Sequence, residues 1–182
     1  MRPRQYLFAL VDGGGNVPPE LHAVRTLIEG GHAVTVLADD SVAPEVTSTG
    51  AEFGRWLRAP NRTNRRPEHD PIRDWECKYP WQLVDRLVDT LLVGAAAAYA
   101  SDVTETITRC RPSLVVCSMF CLGGMLAAEA ARIPFVVLFP NVYPLPARGL
   151  PPFGMGLRPA RGRLGRWRDE TLNRIIERQW DR

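Results

Sequence analysis

Lysine is almost missing from this chain. Lys78 is the only one among 182 residues, so arginine supplies the rest of the 23 basic side chains. The four cysteines, Cys77, Cys110, Cys117 and Cys121, contain no C-x-x-C pair. That spacing argues against a zinc site or a disulfide framework and for reduced, mostly buried thiols. No apolar run approaches the ~18 residues of a membrane-spanning helix. Met1-Arg-Pro-Arg4 leads into a strand with no small-residue cleavage site, so no secretory leader and a cytoplasmic location are expected. Charge of one sign is also lacking, since 23 basic residues meet 20 acidic ones. Nine arginines against four acids between Arg148 and Arg182 make a basic tail. It could meet phosphates or an anionic membrane, or simply serve as surface cation where lysine is rare. No nucleic-acid-binding motif accompanies it, and nucleic acid is not expected as a partner.

What remains is the composition of a globular protein, 45% hydrophobic and 24% charged, long enough for one domain or slightly more. Tyr6 to Val11 is an apolar run broken by Asp12-Gly-Gly-Gly-Asn16, which reads as a buried parallel strand and a tight turn. Pro18 and Pro19 suit the first turn of a helix carrying Leu21, Val24, Leu27 and Ile28 at helical spacing and closing at Gly30-Gly31. Ala33 to Ala38 follows as a second strand ending at Asp39-Asp40. This is a βαβ unit, whose ligands meet the carboxyl ends of its strands.

Further along, Ser41 is expected to cap a short helix over Val42 to Thr49, and Ala51 to Leu57 to form a third strand. Ala59 to Pro80, with four prolines and no periodicity, is a long loop of the kind that is usually functional or mobile. A helical stripe from Trp81 to Arg109, loosened at Gly94, ends before Pro112. Leu114 to Cys117 is a buried strand, Ser118 to Gly124 a crossing, Met125 to Ala131 a small-residue helix and Phe135 to Phe139 a strand. A proline-rich segment from Pro140 to Pro152 precedes a terminal helix whose face is Leu164, Trp167, Leu172, Ile175, Ile176 and Trp180. Unpartnered, that face would be an exposed patch, so it is expected to dock on this domain or on another.

Strand, glycines, helix, strand and then Asp39 imitate a dinucleotide-binding fingerprint. Gly13-Gly-Gly-Asn-Val-Pro18 lacks its third glycine, however, and Pro18 and Pro19 give a pyrophosphate no N–H donors.

Asn16-Val-Pro-Pro-Glu-Leu21 after the glycine turn, Gly31-His32-Ala-Val-Thr-Val36, Val42-Ala-Pro-Glu-Val46, Thr49-Gly-Ala-Glu-Phe53, Ile133-Pro-Phe-Val-Val137 and Tyr143-Pro-Leu-Pro146 occur in an order that resembles a known family. It is the amino-terminal half of GT-B glycosyltransferases, near bacterial enzymes that use nucleotide-sugars to glycosylate macrolides, glycopeptides, flavonoids and lipids. The resemblance implies an α/β fold, Rossmann-like, with a mainly parallel sheet and helices on both faces. Residues 1–160 would form the acceptor-binding domain, and 161–182 a terminal helix leading toward a C-terminal donor-binding domain that this chain lacks. The implied reaction moves a hexose from a UDP- or dTDP-sugar to a hydroxyl of a hydrophobic small molecule. The nucleotide-sugar is co-substrate, no cofactor is tightly bound, and no metal is essential, because helix dipoles and side chains neutralise the diphosphate.

In that family a general-base histidine follows a glycine after the first strand, and its aspartate partner follows the strand before the small-residue helix. The matching positions here are Asn16 and Ser118. An amide is no base at neutral pH, and a hydroxyl does not stabilise an imidazolium as a carboxylate does. Three explanations stay open. Asp12 acts as the base; His69, Asp70, Asp74 or Glu76 reaches in from the long loop; or catalysis is absent and the chain is a small-molecule-binding or partner-pairing half-enzyme. A dimer through its terminal helix is a further expectation. The glycines Gly13, Gly14 and Gly15, the aromatics Trp75, Tyr79 and Trp81, and Phe120, Leu122, Asn141 and Tyr143 would frame the acceptor pocket. The aromatics could equally just pin the loop to the body.

Overall fold

Alternation along the first strand divides the core in two. In the computed structural model β1 (Gln5–Ala9) sends Leu7 and Ala9, followed by Val11, to one face of the sheet and Phe8 and Leu10 to the other. The structure describes residues 2–140, 147–152 and 155–180, excepting the side chains of Pro80, Trp81, Val84, Gln179 and Trp180. Two compact units emerge, Met1–Pro140 and Asn141–Arg182.

The first unit contains α1 (Val17–Glu29), β2 (Ala33–Ala38), α2 (Ala43–Thr47), β3 (Glu52–Arg55), α3 (Pro80–Leu87), α4 (Ala96–Cys110), β4 (Leu114–Ser118), α5 (Leu122–Ala130) and β5 (Phe135–Leu138). All pairings are parallel, in the order β3-β2-β1-β4-β5. β1 therefore lies between β2 and β4, and the strand order switches direction at the β1/β4 junction. α1, α2 and the turn before α2 cover the Phe8 face through Val17, Leu21, Val24, Val42 and Val46. α4 and α5 cover the Leu7 face through Tyr99, Val103, Ile107, Ala127 and Ala128. This is the expected Rossmann-like sheet with helices on both faces.

Three local expectations change. Ser41 does not cap α2; a 3₁₀ turn over Asp40–Val42 precedes that helix, and the Ser41 hydroxyl is used elsewhere. The stripe from Trp81 is two helices, separated by a π turn over Val88–Leu92 and a break at Gly94, where a Cβ would run into the Asp89 carbonyl oxygen. By length and composition alone Asp85–Cys110 could cross a membrane, but α4 spends Tyr99, Val103 and Ile107 in the core. Finally, α5 begins at Leu122 rather than Met125. Gly123 and Gly124 make poor helix formers, yet they let α5 meet its neighbours closely: a Cβ on Gly123 would strike the Ala96 carbonyl oxygen of α4. Close packing outweighs propensity there.

The second unit carries α6 (Arg163–Trp180), with Asp169 and Asn173 buried one turn apart and Asn173 Nδ2 donating to the Leu150 carbonyl at 3.0 Å. Leu164, Trp167 and Ile175 are exposed.

Candidate functional site

The turn after β1 needs its glycines in two ways. Gly14 adopts φ +80°, and Gly13 sits where a Cβ would be 2.9 Å from Asn16 Oδ1 and 3.0 Å from the Phe120 ring. The turn therefore packs tightly on its own helix start and on the segment after β4, with Asp12 on one side and Asn16 on the other.

On the Asp12 side every carboxylate oxygen is engaged. Oδ1 accepts the Gly14 N–H at 2.9 Å; Oδ2 accepts the Ser41 hydroxyl at 2.7 Å and Arg65 Nε at 3.0 Å. Arg65 also reaches Glu45 at 2.9 Å. Burial alone would raise the Asp12 pKa, but the bonds from Ser41, Arg65 and Gly14 outweigh it and hold the carboxyl below the usual aspartate value. A carboxylate so furnished is a weak base. Behind it Asp39 accepts the backbone N–H of Asp12 at 2.8 Å and of Arg62 at 2.7 Å. Burial pushes Asp39 up to about 6 against those two donors, and the charge of Asp12 adds to the rise.

A cavity of about 70 Å³ opens here, lined by Asp12, Asp39, Arg62, His69, Leu91 and Tyr99 among others. Of His69, Asp70, Asp74 and Glu76, His69 lines this cavity together with Asp12. Asp70 instead pairs with Arg62 at 3.2 Å, and Glu76 with Arg73 and Arg86. Trp75 and Tyr79 are half exposed and do not line this cavity. Asn141, Tyr143 and the Trp81 side chain lie outside the described residues.

On the other side Asn16 turns inward from the start of α1. Its Oδ1 accepts the Gly13 N–H at 2.9 Å. Its Nδ2 has three acceptors in reach: the Val11 carbonyl at 2.9 Å, Glu20 Oε1 at 3.1 Å and Ser118 Oγ at 3.3 Å. Asn16 and Ser118, singled out from the sequence, are therefore neighbours, across 102 positions and astride the β1/β4 junction. What sequence reasoning missed is Glu20. It is 2% exposed, and burial pushes its carboxyl up to about 7, with the Asn16 amide bond and the polar Ser118 side chain restraining the rise. The signal was present: Val17, Leu21 and Val24 form the buried stripe of α1, and Glu20 falls within it. Phe120 is partly buried over Gly13, and Leu122 opens α5 half-buried. Among the described residues no three His, Cys, Asp or Glu side chains converge as a metal would require.

No protein-family model matches the chain. A curated relative, 4'-demethylrebeccamycin synthase of Lentzea aerocolonigenes, is 22% identical over 187 residues, covering 94% of this chain and 41% of that protein. Among solved structures, CalG4, the calicheamicin glycosyltransferase, is 31% identical with a TM-score of 0.55 over 75% of this chain and 32% of its own. The kitacinnamycin glycotransferase reaches a TM-score of 0.60 at 23% identity, over 79% of this chain and 32% of its own. The chain thus spans about a third to two fifths of the length of these proteins. In fold and sequence it resembles the amino-terminal, Rossmann-like part of GT-B natural-product glycosyltransferases.

Proposed function

We propose that this chain supplies the acceptor side of a sugar transfer, in which a hexose passes from a UDP- or dTDP-sugar to a hydroxyl of a hydrophobic small molecule. The observation that carries the reading is the polar cluster Asn16, Glu20 and Ser118 at the β1/β4 junction, where a doubly wound sheet receives its ligands, in a chain whose relatives are glycosyltransferases. The acceptor would lie along the carboxyl edge, near the Gly13–Gly15 turn, Phe120 and Leu122, with Trp75, Tyr79 and Trp81 of the long loop as further contacts. Its hydroxyl must lose a proton as it attacks the anomeric carbon. The relatives are more than twice as long as this chain, so we place the nucleotide-sugar on a second domain and expect the 182 residues alone to be inactive. The exposed Leu164, Trp167 and Ile175 of α6 are a surface for that domain or for a second copy.

Calorimetric titration tests this. The 182-residue chain should bind a phenolic acceptor and neither UDP-glucose nor dTDP-glucose, whereas the full-length gene product should bind one of the two at micromolar concentration. If the full-length product binds neither, the sugar-transfer reading fails. A second reading, a non-catalytic binding half, is favoured by one observation: Asp12 is tied up by three donors and Asn16 is an amide, so neither of these is a competent base. Acceptor binding without turnover by the full-length product would select it.

A further inference from the structure

A buried oxygen that accepts no hydrogen bond is rare in a folded chain, and it calls for a donor. The second unit holds two. Asp169 and Asn173 are 2% and 8% exposed, and Asp169 Oδ2 and Asn173 Oδ1 have no hydrogen-bond partner among the described residues. The other polar atoms of both groups are committed. Asp169 Oδ1 accepts Arg168 Nε at 2.8 Å and Nη2 at 2.6 Å. Asn173 Nδ2 donates to the Leu150 carbonyl at 3.0 Å and reaches that of Ala147 at 3.5 Å, which fixes the amide with its oxygen turned away from both. The two residues are four apart on α6, so they share one face, with Cβ atoms about 5–6 Å apart.

That face borders a cavity of about 320 Å³, within the roughly 300–1,000 Å³ of small-molecule sites. Asp169 and Asn173 line it together with Arg148, Arg166, Glu170, Arg174 and Glu177, and these last five are exposed and form its rim. The charges select the guest. Arg168 already balances Asp169, so no second cation is called for, and three rim arginines oppose one. Glu170 and Glu177 oppose an anion in the same way. An apolar guest would leave both free oxygens unpaired. A neutral molecule with several hydroxyls meets every requirement, because its O–H groups donate to the two oxygens and its own oxygens accept from the rim guanidinium groups.

We propose that the cavity beside Asp169 and Asn173 binds one saccharide ring, recognised through two hydroxyls that donate to Asp169 Oδ2 and Asn173 Oδ1. The site lies wholly within the second unit and shares no residue with the cluster at the glycine turn. It does not depend on the sugar-transfer reading. A free sugar and the sugar of a larger glycoside offer the same hydroxyls.

The test is a nuclear magnetic resonance titration of the 182-residue chain with glucose, galactose, mannose and rhamnose, each as its methyl and its 4-methylumbelliferyl glycoside. The Asn173 side-chain amide signals should shift saturably in the millimolar range with at least one sugar, while those of Asn61 stay in place. Such binding is far weaker than the micromolar binding sought with nucleotide-sugars, so the two readings fail separately. Equal midpoints for the two glycosides of that sugar would identify the ring alone as the guest, and a lower midpoint for the umbelliferyl form would identify a glycoside. Asp169→Asn keeps Oδ1 on Arg168 and turns an N–H₂ toward the guest, so it should weaken binding about tenfold or more, with helix content by circular dichroism unchanged. If that variant does not fold, the wild-type titration decides. No saturable Asn173 shift with any of the sugars overturns the proposal, and the two oxygens then meet water only. An equal shift with ethylammonium chloride or sodium sulfate overturns it, and so does folded Asp169→Asn that binds as tightly as the wild type.

Discussion

Asp12 and Glu20 are both carboxyls buried at one glycine turn, eight positions apart, and they end in opposite states. Asp12 receives a backbone N–H, a hydroxyl and a guanidinium, and is held ionised. Glu20 receives an amide N–H from Asn16, and burial raises its carboxyl to about 7, so it takes up a proton near neutral pH. Burial is common to both, so it does not set the difference. The number and charge of the donors do, and the turn thereby separates a fixed anion from an exchangeable proton.

The two sides should respond oppositely to mutation and to pH. The largest effect belongs to Asp12→Ala, which strips an anion from three donors. Arg65 can fall back on Glu45 and water, yet the loss should still be about 4 kcal/mol at pH 7, read as a lowered urea midpoint of the 182-residue chain. For a depressed carboxyl like Asp12, stability is present above the unfolded pKa of 3.8 and lost as pH falls through the lower folded value.

Glu20 works the other way. Its folded pKa near 7 lies above the ordinary 4.5, so the fold holds a proton that the unfolded chain releases, and stability falls as pH rises from 4.5 through 7. Glu20→Gln should remove that decline. It should equal the wild type near pH 4.5 and exceed it at pH 8 by up to about 3 kcal/mol, while the separate decline due to Asp39 between pH 4 and 6 persists. Urea midpoints of both proteins across this pH range check it, and parallel curves would show that Glu20 and Asp12 are not opposites after all.

The sheet was legible because its signals are local. β2 falls on Ala33–Ala38 as read, and α1 opens on its two prolines and closes at Gly30. What stayed illegible depends on residues distant in sequence. Ser41 reads as a cap by its neighbours, but its hydroxyl goes to Asp12, 29 positions away. The glycines of α5 read as a crossing until α4 is laid against them. Pairing Asn16 with Ser118 came from a family resemblance, whereas Glu20, though inside the quoted Asn16–Leu21 motif, was given no role by it. Only its place in an apolar stripe marked it, as the same rule marks Asp102 on α4, which accepts the backbone N–H groups of Leu57, Arg58 and Ala59.

Ser41→Ala removes one neutral donor from an ionised partner and should cost about 1.5 kcal/mol by urea unfolding at pH 7. It should shift the acid limb of stability upward in pH, since Asp12 then loses a bond that favours its charged form. The same change should leave the Glu20 decline between pH 4.5 and 7 where it is, because Ser41 serves the Asp12 side alone.

Arg65→Gln is the finest test. An exposed ion pair is usually worth little, and Arg65 is 45% exposed, so its removal should cost less than about 1 kcal/mol although it meets a fully buried oxygen of Asp12. The effect should shrink further in 0.5 M salt, where screening weakens an accessible cation but not the buried bonds from Gly14 and Ser41. A loss as large as that of Asp12→Ala would mean that the guanidinium, rather than the turn's own donors, keeps Asp12 ionised. The contrast with Glu20 would then reduce to the presence of one arginine.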